Sequence, residues 1–208
     1  MLRFLKVLLW IACLGPAAWL VHAALTDGLG ANPIEKITLV TGKTALTILL
    51  VTLAVTPFRR VSRWNPVIQL RRPLGLFAFF YVVLHLLTYV TLDLYFDFAA
   101  VGEDILKRPY ITVGFAAFVL LIPLAVTSTK GWIRKLGRRW QTLHTLVYVS
   151  AVLAVLHFFW KTKADFREVG VYAAVLIVLL VSRVPEWIRR RKSRQPARRE
   201  SAAASAVD

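Results

Sequence analysis

Three histidines of this 208-residue chain lie inside long apolar stretches, where ionisable side chains are rare. His144 and His157 stand near the two ends of the run from Trp140 to His157. Read as one helix, that run separates them by about 20 Å, two-thirds of a hydrocarbon core ~30 Å thick. His85 sits in an equally apolar run. A titratable group inside a bilayer is costly and points to function. Imidazole is the commonest metal ligand among side chains. Two imidazoles on facing helices can grip a flat iron macrocycle edge-on, and axial histidine is a standard way of holding haem iron. A helical bundle core is a usual home for such a group. A single buried histidine is as readily a hydrogen-bonded structural residue, so the weight rests on His85 and His157 together.

Competing chemistries fail on residue supply. The apolar runs hold almost no carboxylates, with Asp93 at an end, so neither a di-metal carboxylate site nor an acidic proton relay is available. Ser150 has no carboxylate-oriented histidine beside it. The single cysteine, Cys13, excludes an internal disulfide and any multi-cysteine zinc or iron–sulfur site.

The elements that must carry these histidines follow from composition. At 58% hydrophobic and 12% aromatic, the chain is too apolar for an ordinary soluble domain. Six apolar spans can be drawn: Val7–Leu25, Leu39–Thr56, Leu74–Leu94, Ile111–Thr127, Trp140–Trp160 and Val169–Val184. The expected fold is an all-α membrane protein, a haem-binding bundle of six transmembrane helices over residues 1–188. A charged, then Ala/Ser-rich tail over 189–208 is expected to be disordered. The first span is read as a retained helix rather than a cleaved leader, because its apolar run is long. No loop is long enough for a catalytic domain, no Gly-rich nucleotide fingerprint occurs, and no internal repeat is apparent. A haem carrier or small-solute permease is the rival class, and would favour repeat symmetry and broken helices.

Charge sets the orientation. One set of segments carries 20 basic residues against three acidic ones, and the alternate set seven basic against eight acidic. The positive-inside rule places the first set, with both termini, in the cytoplasm. The net charge of +16 therefore reads as attraction to anionic lipid heads, not nucleic acid. His85 and His157 then fall at similar depth in the outer half, and His144 near the inner surface. An ideal straight helix turns about 140° between His144 and His157, so it would not aim both at one cavity. At the depth of His144 the third span offers only Arg71 and Arg72. His144 thus remains open between an inner haem with one protein histidine, a flavin or quinone contact, and a structural histidine. His22 reads as interfacial. Ala78, Ser150 and Ala154 could let a macrocycle approach, Thr88 and Tyr89 could orient His85, and Arg108, Lys161 and Lys163 could meet haem propionates.

Several motifs then carry a resemblance. They are Gly30-Ala31-Asn32-Pro33-Ile34-Glu35 with Thr41-Gly42, Thr56-Pro57, Arg71-Arg72-Pro73-Leu74-Gly75 and Tyr81 with His85. Further along are Lys107-Arg108-Pro109-Tyr110-Ile111-Thr112-Val113-Gly114, Thr127-Ser128 and Trp140-Gln141-Thr142-Leu143-His144. As a set, covering about residues 28–160, they resemble the haem-binding membrane subunits of the periplasmic protein-methionine-sulfoxide reductase system, the MsrQ (YedZ) family. That family is similar to the wider ferric-reductase-like transmembrane cytochromes, including the NADPH oxidases. The resemblance implies heme b and FMN in a bacterial inner membrane. It implies electrons from the quinone pool or a cytoplasmic flavin reductase, passed to a periplasmic molybdopterin methionine sulfoxide reductase that repairs oxidised envelope proteins. By motif match it assigns His85, His144 and His157 to haem. The NADPH oxidases carry two histidines on each of two helices, whereas this chain has one on its third span.

Overall fold

The computed structural model describes residues 2–162 and 166–184, and all regular structure among them is helical. The helices are α1 Leu2–Leu25, α2 Pro33–Ser62, α3 Arg71–Thr88, α4 Phe98–Lys107, α5 Pro109–Val126, α6 Lys130–Leu136, α7 Arg138–Leu143, α8 Leu146–Lys161 and α9 Arg167–Val181. A 3₁₀ turn over Asn65–Leu70 feeds α3, and a π turn over Tyr89–Asp93 ends it. Five segments are long and apolar enough to cross a membrane: Leu2–Leu25, Pro33–Ser62, Asn65–Asp93, Pro109–Val126 and Arg138–Lys161. The 15-residue α9 supplies a sixth apolar helix. The tail 189–208 and Lys163 lie outside the described residues.

The expected span from Trp140 to Trp160 lies within one 24-residue span, Arg138–Lys161, which is not regular throughout. Between α7 and α8 the turn tightens at His144 and Thr145, both of which keep right-handed helical angles. The Thr145 hydroxyl and amide both donate to the Thr142 carbonyl, at 2.6 and 3.1 Å. Threonine side chains compete in this way with the helical ladder, and the resulting i→i+3 bond tightens the turn. The straight-helix angle between His144 and His157 therefore does not apply.

Local chemistry explains where the long helices start and bend. Asn32 caps α2 by accepting from the Glu35 amide at 3.3 Å and donating to the Glu35 carboxylate at 3.0 Å, with Pro33 at the first helical position. Asp97 caps α4 by accepting from the Ala99 and Ala100 amides, both at 3.0 Å. Pro57 inside α2 has no amide hydrogen to give the Leu53 carbonyl. Arg183 Nη2 donates to that carbonyl instead, at 2.7 Å, and Arg183 Nη1 reaches the Tyr148 hydroxyl at 2.6 Å. α2 and α9 run in the same direction, as contacts along them show. Lys43 in the first half of α2 pairs with Glu168 at the start of α9, while Arg60 near the end of α2 donates to the Ser182 carbonyl past the end of α9.

Pro16 bends α1, and Tyr81 of α3 occupies the bend. Its hydroxyl donates to the Cys13 carbonyl at 2.6 Å and accepts from the Ala17 amide at 3.0 Å, bridging two groups that pair directly in a regular helix. Tyr81 is fully buried. Tyr81→Phe should therefore destabilise the bundle by about 1–3 kcal/mol, the cost of leaving buried backbone groups unpaired. A lowered thermal midpoint in detergent would show this, and an unchanged midpoint would remove the bridge from the account.

The packing that matters for the site is pairwise: α2 lies along α3, and α5 along α8. Ala78, Ala151 and Ser150 are buried at helix contacts, where small side chains let backbones approach.

Candidate functional site

The two helix pairs enclose a cavity of about 270 Å³, walled by α2, α3, α5 and α8 and roofed by α4. His85 of α3 and His157 of α8 face each other in it, with ring centres 6.1 Å apart and planes at 80°. Each ring is anchored the same way. His85 Nδ1 lies 3.0 Å from the Thr38 carbonyl, and His157 Nδ1 lies 2.7 Å from the Tyr110 carbonyl. A carbonyl only accepts, so each Nδ1 carries the hydrogen and Nε2 keeps the free lone pair. Backbone anchoring of the far nitrogen is the usual orientation device for a ligating histidine.

The rings fit against their neighbours only because two residues lack side chains. A Cβ on Gly42 would meet His85 Nδ1 and Cε1 at 3.1 Å. A Cβ on Gly114 would meet His157 Nδ1 at 2.7 Å and Cε1 at 3.0 Å.

These coincidences have one origin. His157 follows His85 by 72 residues, as Gly114 follows Gly42 and Tyr110 follows Thr38. The same interval relates Ala45 to Ala117, Leu49 to Leu121 and Val82 to Ala154 in the cavity wall. Eleven such pairs line the cavity, leaving only Asp93, Val101, Ile105 and Arg108 without a counterpart. The cavity is built from two copies of one helix pair, which corrects the expectation of no internal repeat. Only four of the eleven lining pairs are identical, and Leu74/Leu146, Val83/Val155 and Leu84/Leu156 match outside the cavity, so the similarity is too sparse to stand out in a residue-by-residue reading. The same interval carries His144 back to Arg72.

The donor set suits a particular kind of group. Among the described residues no three His, Cys, Asp or Glu side chains cluster as metal ligands. Two opposed imidazoles suit an ion that brings its equatorial ligands with it, as haem iron does. An imidazole nitrogen sits about 2 Å from a bound metal and the ring centre about 1 Å further, so two rings on one ion have centres about 6 Å apart. The observed separation is 6.1 Å. The remaining lining is largely apolar, and Lys43, Arg108 and Lys161 supply cations. The Arg108 guanidinium is held above its ordinary value by a hydrogen bond to Tyr110 and by the Asp104 charge.

The other expected site residues are placed elsewhere. His144 lies at the α7–α8 turn, outside the cavity, with its ring stacked on Trp140 at 3.9 Å. Its Nδ1 is buried with no hydrogen-bond partner among the described residues. His22 is exposed on α1. Thr88 and Tyr89 do not orient His85. The Thr88 hydroxyl turns back to the Leu84 carbonyl at 2.9 Å, and Tyr89 donates to Asp104 at 2.6 Å. Ala154 lines the cavity, whereas Ala78 and Ser150 do not. The anchoring carbonyls of Thr38 and Tyr110, the clearance at Gly42 and Gly114, and Lys43 were not anticipated. The signal was present: each histidine follows a glycine by 43 residues.

Comparison with known proteins agrees on the region. The family described as "Ferric reductase like transmembrane component" matches residues 38–155, which take in α3 and α5, most of α2 and the first ten residues of α8, ending two residues before His157. A protein of Herminiimonas arsenicoxydans, named protein-methionine-sulfoxide reductase heme-binding subunit MsrQ, is 51% identical over 199 residues, 94% of this chain and 91% of that protein. Relatives of the same name from Xanthomonas euvesicatoria and Rhodospirillum rubrum are 52% and 49% identical. They match 92% of this chain, covering 87% and 92% of their own lengths. No solved structure matches the chain.

Proposed function

The chain belongs to the ferric-reductase-like transmembrane family and, within it, to the MsrQ heme-binding subunits, and we propose that it is a haem-bearing membrane cytochrome. Its role is to pass electrons across the bacterial inner membrane to a methionine sulfoxide reductase partner. The observation that carries this reading is the opposed pair His85 and His157, each with Nδ1 bonded to a backbone carbonyl and ring centres 6.1 Å apart. A b-type haem bound there supplies reversible one-electron exchange.

The chain's own residues do the rest. His85 and His157 would offer Nε2 to the group, and the Thr38 and Tyr110 carbonyls fix the tautomer and ring direction. Lys43, Arg108 and Lys161 would hold the propionates, while Leu46, Leu49 and Leu121 keep the opposite edge dry. The charge split supports a topology with both termini in the cytoplasm and this cavity beneath the outer leaflet. The mixed-charge loops there would dock the periplasmic molybdopterin enzyme. FMN and the donor, whether quinol or a cytoplasmic flavin reductase, belong to the basic face. His144, stacked on Trp140, and the nearby Arg138, Arg139 and Trp132 support an inner cofactor site there.

The duplicated helix pair and the irregular turn at His144 are also features of carriers. What weighs against a carrier is that both copies wall a single cavity near one end, with the two rings bonded to backbone. Reduction by a quinol analogue, followed by reoxidation only when partner and methionine sulfoxide are both present, tests the electron-transfer reading. A chromophore that never changes redox state would sink it. His144→Ala should leave the signal of the His85/His157 haem intact, because that ring is outside the cavity. It should slow reduction from the cytoplasmic side at least about tenfold if it serves an inner cofactor. Loss of the outer signal in that variant would contradict the separation of the two sites.

A further inference from the structure

The lining residues without a counterpart mark what is particular to one mouth of the cavity. Val101 and Ile105 come from α4. This helix is amphipathic: Phe98, Val101, Ile105 and Leu106 share one arc, and Glu103 and Lys107 lie opposite. Val101 and Ile105 line the cavity, while Phe98 and Leu106 are exposed. The chain reaches α4 through two consecutive left-handed residues, Tyr95 at φ 49 and Phe96 at φ 63. Bulky residues avoid that region unless their surroundings hold them there.

The hold is Asp104. Its carboxylate accepts from the Tyr89 hydroxyl at 2.6 Å and pairs with Arg108 Nε at 3.0 Å, and its side chain is 13% exposed. Tyr89 lies one turn beyond His85. Arg108 lies two residues before Tyr110, whose carbonyl anchors His157. One carboxylate of the roof thus fastens α4 to the end of α3 through Tyr89, and holds the α4–α5 junction through Arg108, the residue that follows α4. Tyr89 corresponds to Lys161 across the repeat, so this tie exists on one side only.

The geometry points to Asp104 as a positioning residue that clasps α4 over the mouth of the histidine cavity and controls water entry between the rings. Its redox consequence rests on the haem reading given above, whereas the clasp itself does not. A dry cavity disfavours the more highly charged ferric state, so opening the roof lowers the reduction potential.

The test uses the full chain in lipid nanodiscs. Ile105→Cys in a Cys13→Ala background places the chain's only thiol on the cavity side of α4. Its rate of reaction with N-ethylmaleimide reads roof opening. Adding Asp104→Asn should raise that rate about tenfold or more, Tyr89→Phe should raise it less, and Asp104→Glu should keep it near the parent value. In the chain that retains its own Ile105, the haem midpoint should fall with Asp104→Asn and return with Asp104→Glu. Parent labelling rates in both Asp104→Asn and Tyr89→Phe, each eluting as a single folded species, would overturn the clasp. If Asp104→Asn does not fold, Tyr89→Phe decides alone, because it leaves the Asp104–Arg108 pair intact. Absence of any haem band from the unaltered protein would remove the haem reading, while the labelling rates would still decide the clasp.

Discussion

Alanine at either His85 or His157 is expected to eliminate the low-spin haem spectrum of the purified protein. Six-coordinate iron needs a strong ligand on both sides, and the donor set offers no substitute. No third His, Cys, Asp or Glu clusters with the pair among the described residues. The remaining histidine is anchored by its own carbonyl on its own side and cannot cross the gap. Haem content should fall below about a tenth of the parent value, since losing one axial bond removes several kcal/mol and each 1.4 kcal/mol is tenfold in occupancy. The pair should respond alike, because each ring is anchored through Nδ1 by one backbone carbonyl. Reduced-minus-oxidised spectra at equal protein concentration make the comparison. An undiminished low-spin signal in both variants would exclude this ligation.

Gly114→Ala should be nearly as damaging, although it removes no ligand. The added methyl would stand 2.7 Å from His157 Nδ1, on the side where the ring meets α5. Contact that short forces the ring or the helix to move. Movement stretches the 2.7 Å bond to the Tyr110 carbonyl that fixes the ring's direction. Overpacking of this kind costs about 1–3 kcal/mol, so haem affinity should drop about 10- to 100-fold. Gly42→Ala is the internal control. There the added carbon would lie 3.1 Å from the His85 ring, a contact relieved by a shift of a few tenths of an ångström. Its effect should be at least several-fold smaller. Haem titration of apo-protein would rank the two. Equal affinities for Gly114→Ala and the parent would mean that the ring is not confined by α5.

Much of this molecule was legible before any coordinates. Long apolar runs set the helices, because an isolated backbone in lipid must satisfy its own hydrogen bonds. The alternation of basic and mixed-charge loops suggested an orientation, and two histidines at matching depth suggested which residues could share one metal. The tertiary structure decided what depends on neighbours across a gap. It tightened the fifth span at His144, where a threonine hydroxyl competes for a carbonyl, a contest that hydropathy cannot register. It gave the orientation of His85 to the Thr38 carbonyl of an adjacent helix rather than to Thr88 or Tyr89, whose hydroxyls donate to the Leu84 carbonyl and to Asp104. It gave meaning to Gly42 and Gly114, whose value is the space they leave for a ring 43 residues away. The repeat stayed hidden for the same reason. Identities at this interval are few, Gly42/Gly114, Ala45/Ala117, Leu49/Leu121 and His85/His157 among the lining pairs, so the correspondence shows only once the two halves are folded around the space between them.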